Sequence, residues 1–205
     1  MAENREFFYR RLHSLLGVIP IGIFLMLHLG VNYFSTYSPE AYNKAADFMG
    51  NLPLRLGLEI FIIYIPILFH GIYGVYIALT AKPNNKRFGY FRNWMFLLQR
   101  ITGIVTLLFV FWHVWQTRLQ NAFFGAEINF DLMNTILSSP FMFWFYIVGV
   151  ISTVFHFANG IWSFFVTWGI TVTPRSQRIV TYFTLIIFLI FSYVGISSLI
   201  AFAQG

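Results

Sequence analysis

Polar and apolar positions along this chain fall into a few long blocks, not into the short alternations of a soluble fold. Five stretches are apolar around most of their circumference: about 14–34, 57–80, 94–116, 140–170 and 179–203. Each reaches the roughly 20 residues that a helix needs to cross a hydrocarbon layer. The pattern predicts an all-α membrane protein of five transmembrane helices, with the first four forming a four-helix bundle. The fourth stretch would be about 45 Å long at about 1.5 Å per residue, so it must tilt or protrude. The two long connections, about 35–56 and 117–139, contain the segments 39–49 and 131–137, which read as short interfacial helices. Pro20 and Pro66 fall inside spans. Pro66 cannot donate to the carbonyl of Ile62, two turns before His70; a bend there would aim His70, or else it is an incidental kink of the kind membrane helices tolerate.

Composition sharpens this picture. The 205 residues are 58% hydrophobic and only 10% charged, against about a quarter charged in soluble domains. No polar run is long enough to form a separate domain, so residues 1–205 are read as a single membrane domain. No small-residue cleavage site follows the first apolar stretch, which is therefore read as an uncleaved helix and not a signal peptide. Cysteine is absent, which excludes disulfides, thiolate haem ligation and Cys-bound iron–sulfur clusters in this chain.

The net charge of +6 would suit nucleic acid if it were clustered on one surface, but it sorts by membrane side instead. The N-terminus, the loop Lys82–Arg92, Arg100 and the loop Pro174–Arg178 carry ten Lys/Arg against Glu3 and Glu6. The other side carries Lys44, Arg55 and Arg118 against Glu40, Asp47, Glu59, Glu127 and Asp131. The positive-inside rule then places the N-terminus in the cytoplasm and the C-terminus outside, in a multi-pass protein of the cell membrane. No nucleic-acid partner is needed to explain the charge.

Ionisable side chains inside a bilayer are costly and usually functional. The first four spans hold one histidine each: His28, His70, His113 and His156. His28 and His113 are 85 positions apart, and His70 and His156 are 86 apart. Odd-numbered spans run one way and even-numbered spans the other, so each pair should share a depth. His28 and His113 lie toward the outer ends, and His70 and His156 toward the cytoplasm, with the two levels separated by roughly 10 Å on the helical rise. A local repeat supports the pairing: Phe69-His70 with Gly74 four residues later matches Phe155-His156 with Gly160. A glycine one turn from a ligand leaves space for a flat macrocycle, though such glycines also serve close helix contact.

Neutral imidazole suits iron, copper and zinc. Two histidines without Cys, Asp or Glu are too few for a usual zinc site, but they match the two axial positions of a haem iron. Two bis-histidine haems are therefore expected inside the bundle, His70 with His156 and His28 with His113. Iron coordinated in this way passes single electrons, and a membrane quinone is the natural acceptor. A histidine proton relay in a transporter is the alternative of another class, and a haem-stapled structural anchor is a further one.

At these residues the sequence resembles the cytochrome b membrane-anchor subunit of succinate dehydrogenase, in the single-chain, di-haem, menaquinone-linked form of Gram-positive bacteria. The resemblance runs over nearly the whole chain, through Asn4–Phe7, Arg10–Gly17, Gln99–Gly103, Trp112–Trp115 and Trp168–Arg178. It implies two haems b, menaquinone as substrate, and flavoprotein and iron–sulfur subunits on the cytoplasmic face, which would feed the inner haem first. Fumarate reductase, or another quinone-linked dehydrogenase, is the neighbouring alternative. No dicarboxylate chemistry is expected in this chain.

Three further residues stand out. Arg100 opens the third span at the cytoplasmic side, either pairing with a haem propionate through its bidentate fork or snorkelling to the interface. His13 sits beside Arg10 and Arg11, either facing a propionate, a quinone or the iron–sulfur subunit, or resting at the interface. Glu59, an acid inside a span on the outer side, is the candidate for a proton or quinone path; its alternative is a residue at the water boundary.

Overall fold

A computed structural model describes residues 2–205, with side chains described from Arg5 onward. Met1 and the Glu3 side chain counted in the charge balance lie outside the described residues. Five helical rods are long and apolar enough to cross a membrane. In chain order the helices are α1 (Arg5–Thr36), α2 (Pro39–Gly50), α3 (Arg55–Thr80), α4 (Phe91–Phe124), α5 (Phe130–Leu137), α6 (Pro140–Thr167) and α7 (Pro174–Gln204). α1 meets α3, α3 meets α4, α4 lies along α6, and α6 returns to α1, closing a four-membered ring. α7 packs outside that ring, against α6 and α1.

The rods begin and end for local reasons. α1 starts well before the apolar stretch, because Glu6 and Arg10 pair one turn apart on an exposed face and support a polar first section. Pro20 does not break α1. It occupies the first position of a new α-helical segment, and Ile19 and Ile23 still bond back to Leu15 and Ile19. α6 stops at Thr167, three residues short of the sequence expectation. Gly169 takes φ +70°, and the amides of Gly169 and Ile170 return to the carbonyls of Val166 and Phe165. Thr173 and Ser176 form a capping box that opens α7 at Pro174.

Two spans contain a wide turn: Glu59–Tyr64 in α3 and Trp115–Leu119 in α4 are π-helical. The first immediately precedes the segment with Pro66 near its start, and the widened turn accommodates the amide that proline lacks.

The outer end of the ring is capped on one side. α2 and α5 pack on each other, and α5 also packs on α7. Tyr42, Phe130, Met133, Leu137 and Phe202 form a buried apolar knot there. Asn43 accepts from the Phe130 amide at 2.8 Å, and Asn134 donates to the Phe202 carbonyl at 2.8 Å. Tyr42 lies outside the spans, and burial raises its phenol to about 12.

Candidate haem-ligating centre

The ring brings the four span histidines together as two facing pairs. The imidazoles of His70 on α3 and His156 on α6 lie 6.0 Å apart, with their planes at 86°. Those of His28 on α1 and His113 on α4 lie 5.7 Å apart at 69°. These are the pairs that the 85- and 86-residue spacings indicate. Their levels are further apart than the roughly 10 Å expected from sequence. Gly17, not a residue nearer mid-helix, packs against His70, and the eleven residues from Gly17 to His28 rise about 16 Å.

The hydrogen bonds around the inner pair fix the tautomer of each ring. His70 Nδ1 lies 2.9 Å from the main-chain carbonyl of His13, and His156 Nδ1 lies 3.0 Å from that of Gln99. A carbonyl accepts only, so each Nδ1 carries the proton and each Nε2 keeps a free lone pair for a metal. The outer pair is held differently. His113 Nδ1 donates to the Tyr146 hydroxyl at 3.3 Å, and that hydroxyl donates to Gln116 Oε1 at 3.2 Å. His28 has no such anchor. Its Nε2 lies 3.4 Å from Asn32 Nδ2, which also donates to the His28 carbonyl at 2.8 Å. Phe24 stacks on His28 and Phe109 on His113.

The donor set fits haem better than a protein-only metal cage. Among the described residues, no three His, Cys, Asp or Glu side chains come together. Donors arrive in pairs from opposite walls. A single metal with bonds of about 2 Å on each side suits rings at these separations, and a macrocycle would supply the remaining positions. Unpartnered buried nitrogens lie at the inner end: Arg100 Nε and Arg11 Nε, both cationic, and His13 Nε2 on a neutral ring have no hydrogen-bond partner. Donors of this kind suit the carboxylates of a haem edge.

The other sequence candidates are placed as follows. His13 stacks on His70, with ring centres 4.0 Å apart and planes at 7°, so it belongs to the inner centre and not to the outer surface of the ring. Arg100 lies over the Phe96 ring and donates to the Phe96 carbonyl at 2.6 Å. Gly74 faces His13, where a Cβ would come 3.2 Å from His13 Nε2; Gly160 faces Gln99, at 3.5 Å from its Nε2. The room beside each glycine is thus taken by the residue opposite it on the neighbouring helix.

Glu59 is not a lone acid. Arg55 Nε donates to it at 2.8 Å, and Arg118 approaches both carboxylate oxygens, with its Nη2 at 2.9 Å. The pair with Arg118 ties the wide turn of α3 to the wide turn of α4 at the outer end.

Sequence reasoning missed Tyr146, Gln99, Asn159 and Asn32. Asn159 donates to Gln99 Oε1 at 2.7 Å, and Gln99 Nε2 donates to the His156 carbonyl at 3.0 Å. All four are polar side chains inside apolar spans, which is the signal that would have found them.

Comparisons with known proteins identify the family. Residues 80–195 match the family model described as the succinate dehydrogenase/fumarate reductase transmembrane subunit. The chain is 65% identical over 202 residues to the succinate dehydrogenase cytochrome b558 subunit of Bacillus subtilis (strain 168), covering 98% of this chain and all of that one. By both measures the chain belongs to the family of succinate dehydrogenase/fumarate reductase transmembrane subunits.

Proposed function

We propose that this membrane subunit of a succinate dehydrogenase holds two haems b, one at each histidine pair, and passes electrons from an iron–sulfur subunit to menaquinone. The observation that carries the reading is the pair of facing imidazoles at each of two levels, 6.0 and 5.7 Å apart. His70 and His156 hold the inner iron, and His28 and His113 the outer one. When bound, a haem held by two imidazoles would supply one-electron transfer.

The chain's own residues do the rest. The carbonyls of His13 and Gln99 and the hydroxyl of Tyr146 hold three of the four ligand rings in the tautomer that presents Nε2. Arg100 and His13 receive the propionates of the inner group. Gly74 and Gly160 let α1 approach α3 and α4 approach α6 closely, which brings the histidines within reach of one metal. The capping helices α2 and α5 cover part of the outer end. Glu59, held between Arg55 and Arg118, lies at the outer level, where a quinone taking two electrons also needs two protons. A proton passed by Glu59 has to be taken up as one of those guanidiniums withdraws. The basic loops and the N-terminus face the cytoplasm, where flavoprotein and iron–sulfur subunits dock.

Single replacements of each ligand test this reading. His70→Leu and His156→Leu should remove the same low-spin haem component from the reduced-minus-oxidised spectrum. His28→Leu and His113→Leu should remove the other. Four indistinguishable spectra, in protein that still assembles with its partner subunits, would overturn the pairing.

A further inference from the structure

The inner ligands are held by a motif that occurs twice. Residue 13 and residue 99 are 86 positions apart, and so are Gly17 and Gly103, His70 and His156, and Gly74 and Gly160. The contacts repeat with the same offset. His70 Nδ1 donates to the carbonyl of residue 13, and His156 Nδ1 to that of residue 99. A Cβ on Gly17 would overlap His70 Cε1 and lie 2.8 Å from its Nδ1. A Cβ on Gly103 would lie 2.9 Å from His156 Cε1 and 3.1 Å from its Nδ1. The two helical hairpins, α1 with α3 and α4 with α6, are therefore two copies of one ligand-holding unit facing each other.

The glycines have a physical reason to stand four residues after the accepting carbonyl. Inside an α-helix the carbonyl of residue i already accepts from the amide of residue i+4, but it keeps a second lone pair. Every Cβ leans toward the helix N-terminus, so the side chain at i+4 hangs over the carbonyl at i and screens that lone pair from a third group. Glycine leaves it open. An imidazole from the neighbouring helix enters the gap with its Cε1–Nδ1 edge nearest the glycine and reaches the carbonyl with Nδ1.

We infer that Gly17 and Gly103 are positioning residues for the inner haem: each opens a main-chain carbonyl, of His13 and of Gln99, that fixes the ring plane and tautomer of the ligand opposite, His70 and His156. The outer centre has no counterpart. His28 and His113 are 85 apart, out of register with the repeat, and His113 is held by a tyrosine. Small side chains at 17 and 103 are thus a requirement of the inner centre alone. The inference rests on the assignment of His70 and His156 as ligands to one iron.

The test is Gly17→Ala and Gly103→Ala in the full complex, read by haem counted per chain, by the reduced-minus-oxidised spectrum and by electron paramagnetic resonance of the oxidised protein. Gly30→Ala is the neutral control on the same helix, because a Cβ there meets nothing within 4 Å. Gly195→Ala is the crowding control, because a Cβ there comes 2.5 Å from Val150 Cγ1 on α6 and 3.5 Å from Leu29 Cδ2, with no ligand ring among its nearest contacts.

Both seat variants should weaken inner-haem binding by about tenfold or more, read as fewer haems per chain, the usual effect of disturbing the group behind a metal-bound histidine. Where haem remains, the low-spin resonance of the inner group should shift, because the angle between ring planes changes. The outer signals should stay. Unchanged inner signals in Gly17→Ala and Gly103→Ala, alongside loss of the inner haem in His70→Leu, would overturn the inference and leave the ligand assignment standing. Loss of both haems together, matching Gly195→Ala, would overturn it too, because crowding alone would then account for the effect. An inner haem that survives His70→Leu would instead refute the assignment itself.

Discussion

Removing the hydroxyl of Tyr146 should weaken the outer haem and spare the inner one. Tyr146 is 1% exposed, and its oxygen sits between His113 Nδ1 at 3.3 Å and Gln116 Oε1 at 3.2 Å. Phenylalanine keeps the packed ring but takes the hydroxyl partner from two part-buried polar groups, His113 Nδ1 and Gln116 Oε1. An unmet buried group costs about 1–3 kcal/mol. Both contacts are long for hydrogen bonds, so the lower part of that range applies. The cost falls on the ring orientation that presents His113 Nε2, and about 1.4 kcal/mol corresponds to a factor of about ten in affinity. Tyr146→Phe should therefore lower outer-haem affinity about tenfold, within the range known for groups that orient metal-bound histidines. The assay is haem titration of the stripped complex, followed by the two low-spin components separately. His113 lies ten residues beyond the seat of His156 at Gly103, about 15 Å along α4, so the inner component should be unchanged. An outer affinity equal to that of the parent, or an equal loss at both levels, would refute the reasoning.

Other outcomes follow from separate parts of the structure. Gly149→Ala should drive a methyl into the Phe109 ring, which stacks on His113; overpacking costs about 1–3 kcal/mol, and the outer spectrum should broaden while the inner one holds. Glu59→Gln should leave Arg55 and Arg118 facing a neutral amide. With side chains 14–33% exposed, the stability loss is about 1–2 kcal/mol, and succinate-driven quinone reduction should fall while dithionite still reduces both haems; unchanged quinone turnover would remove Glu59 from the path. The Tyr42 phenol, raised to about 12 by burial, favours the folded cap fully below its unfolded value of about 10, and that preference is lost as pH rises from about 10 toward 12. Proteolysis within residues 35–56 should therefore accelerate over that range, and Tyr42→Phe should abolish the acceleration.

Much of this was legible in the sequence because the bilayer imposes simple rules. A span needs roughly 20 apolar residues, and all five stretches correspond to rods. Spacing and alternating direction were enough to pair His28 with His113 and His70 with His156, because depth is nearly a linear coordinate along a membrane helix. What sequence could not reach was register between helices. Gly17 opposite His70, and Gly103 opposite His156, depend on how far one rod slides along the next, and that slide separated the two levels further than the spacing suggested. The repeat at Gly74 and Gly160 was visible, but its other half, at residues 13, 17, 99 and 103, shares only one glycine per copy and became apparent from contacts. The wide turns at Glu59–Tyr64 and Trp115–Leu119 carry no compositional mark beyond Pro66. The pairing of Glu59 with Arg118 could not be read from the sequence, because the two are 59 positions apart. The extension of α1 back through Arg5 was hidden by its charges, which satisfy one another on the helix surface.

The proposal of a transporter relay loses its basis once family membership is considered together with paired rings whose Nδ1 protons are mostly committed elsewhere. What remains to be measured directly is the occupant of the two levels. Purified, assembled complex should yield two haems b for each copy of this chain when the tetrapyrrole is extracted and quantified against protein. A value near one, or a colourless preparation, would contradict the account.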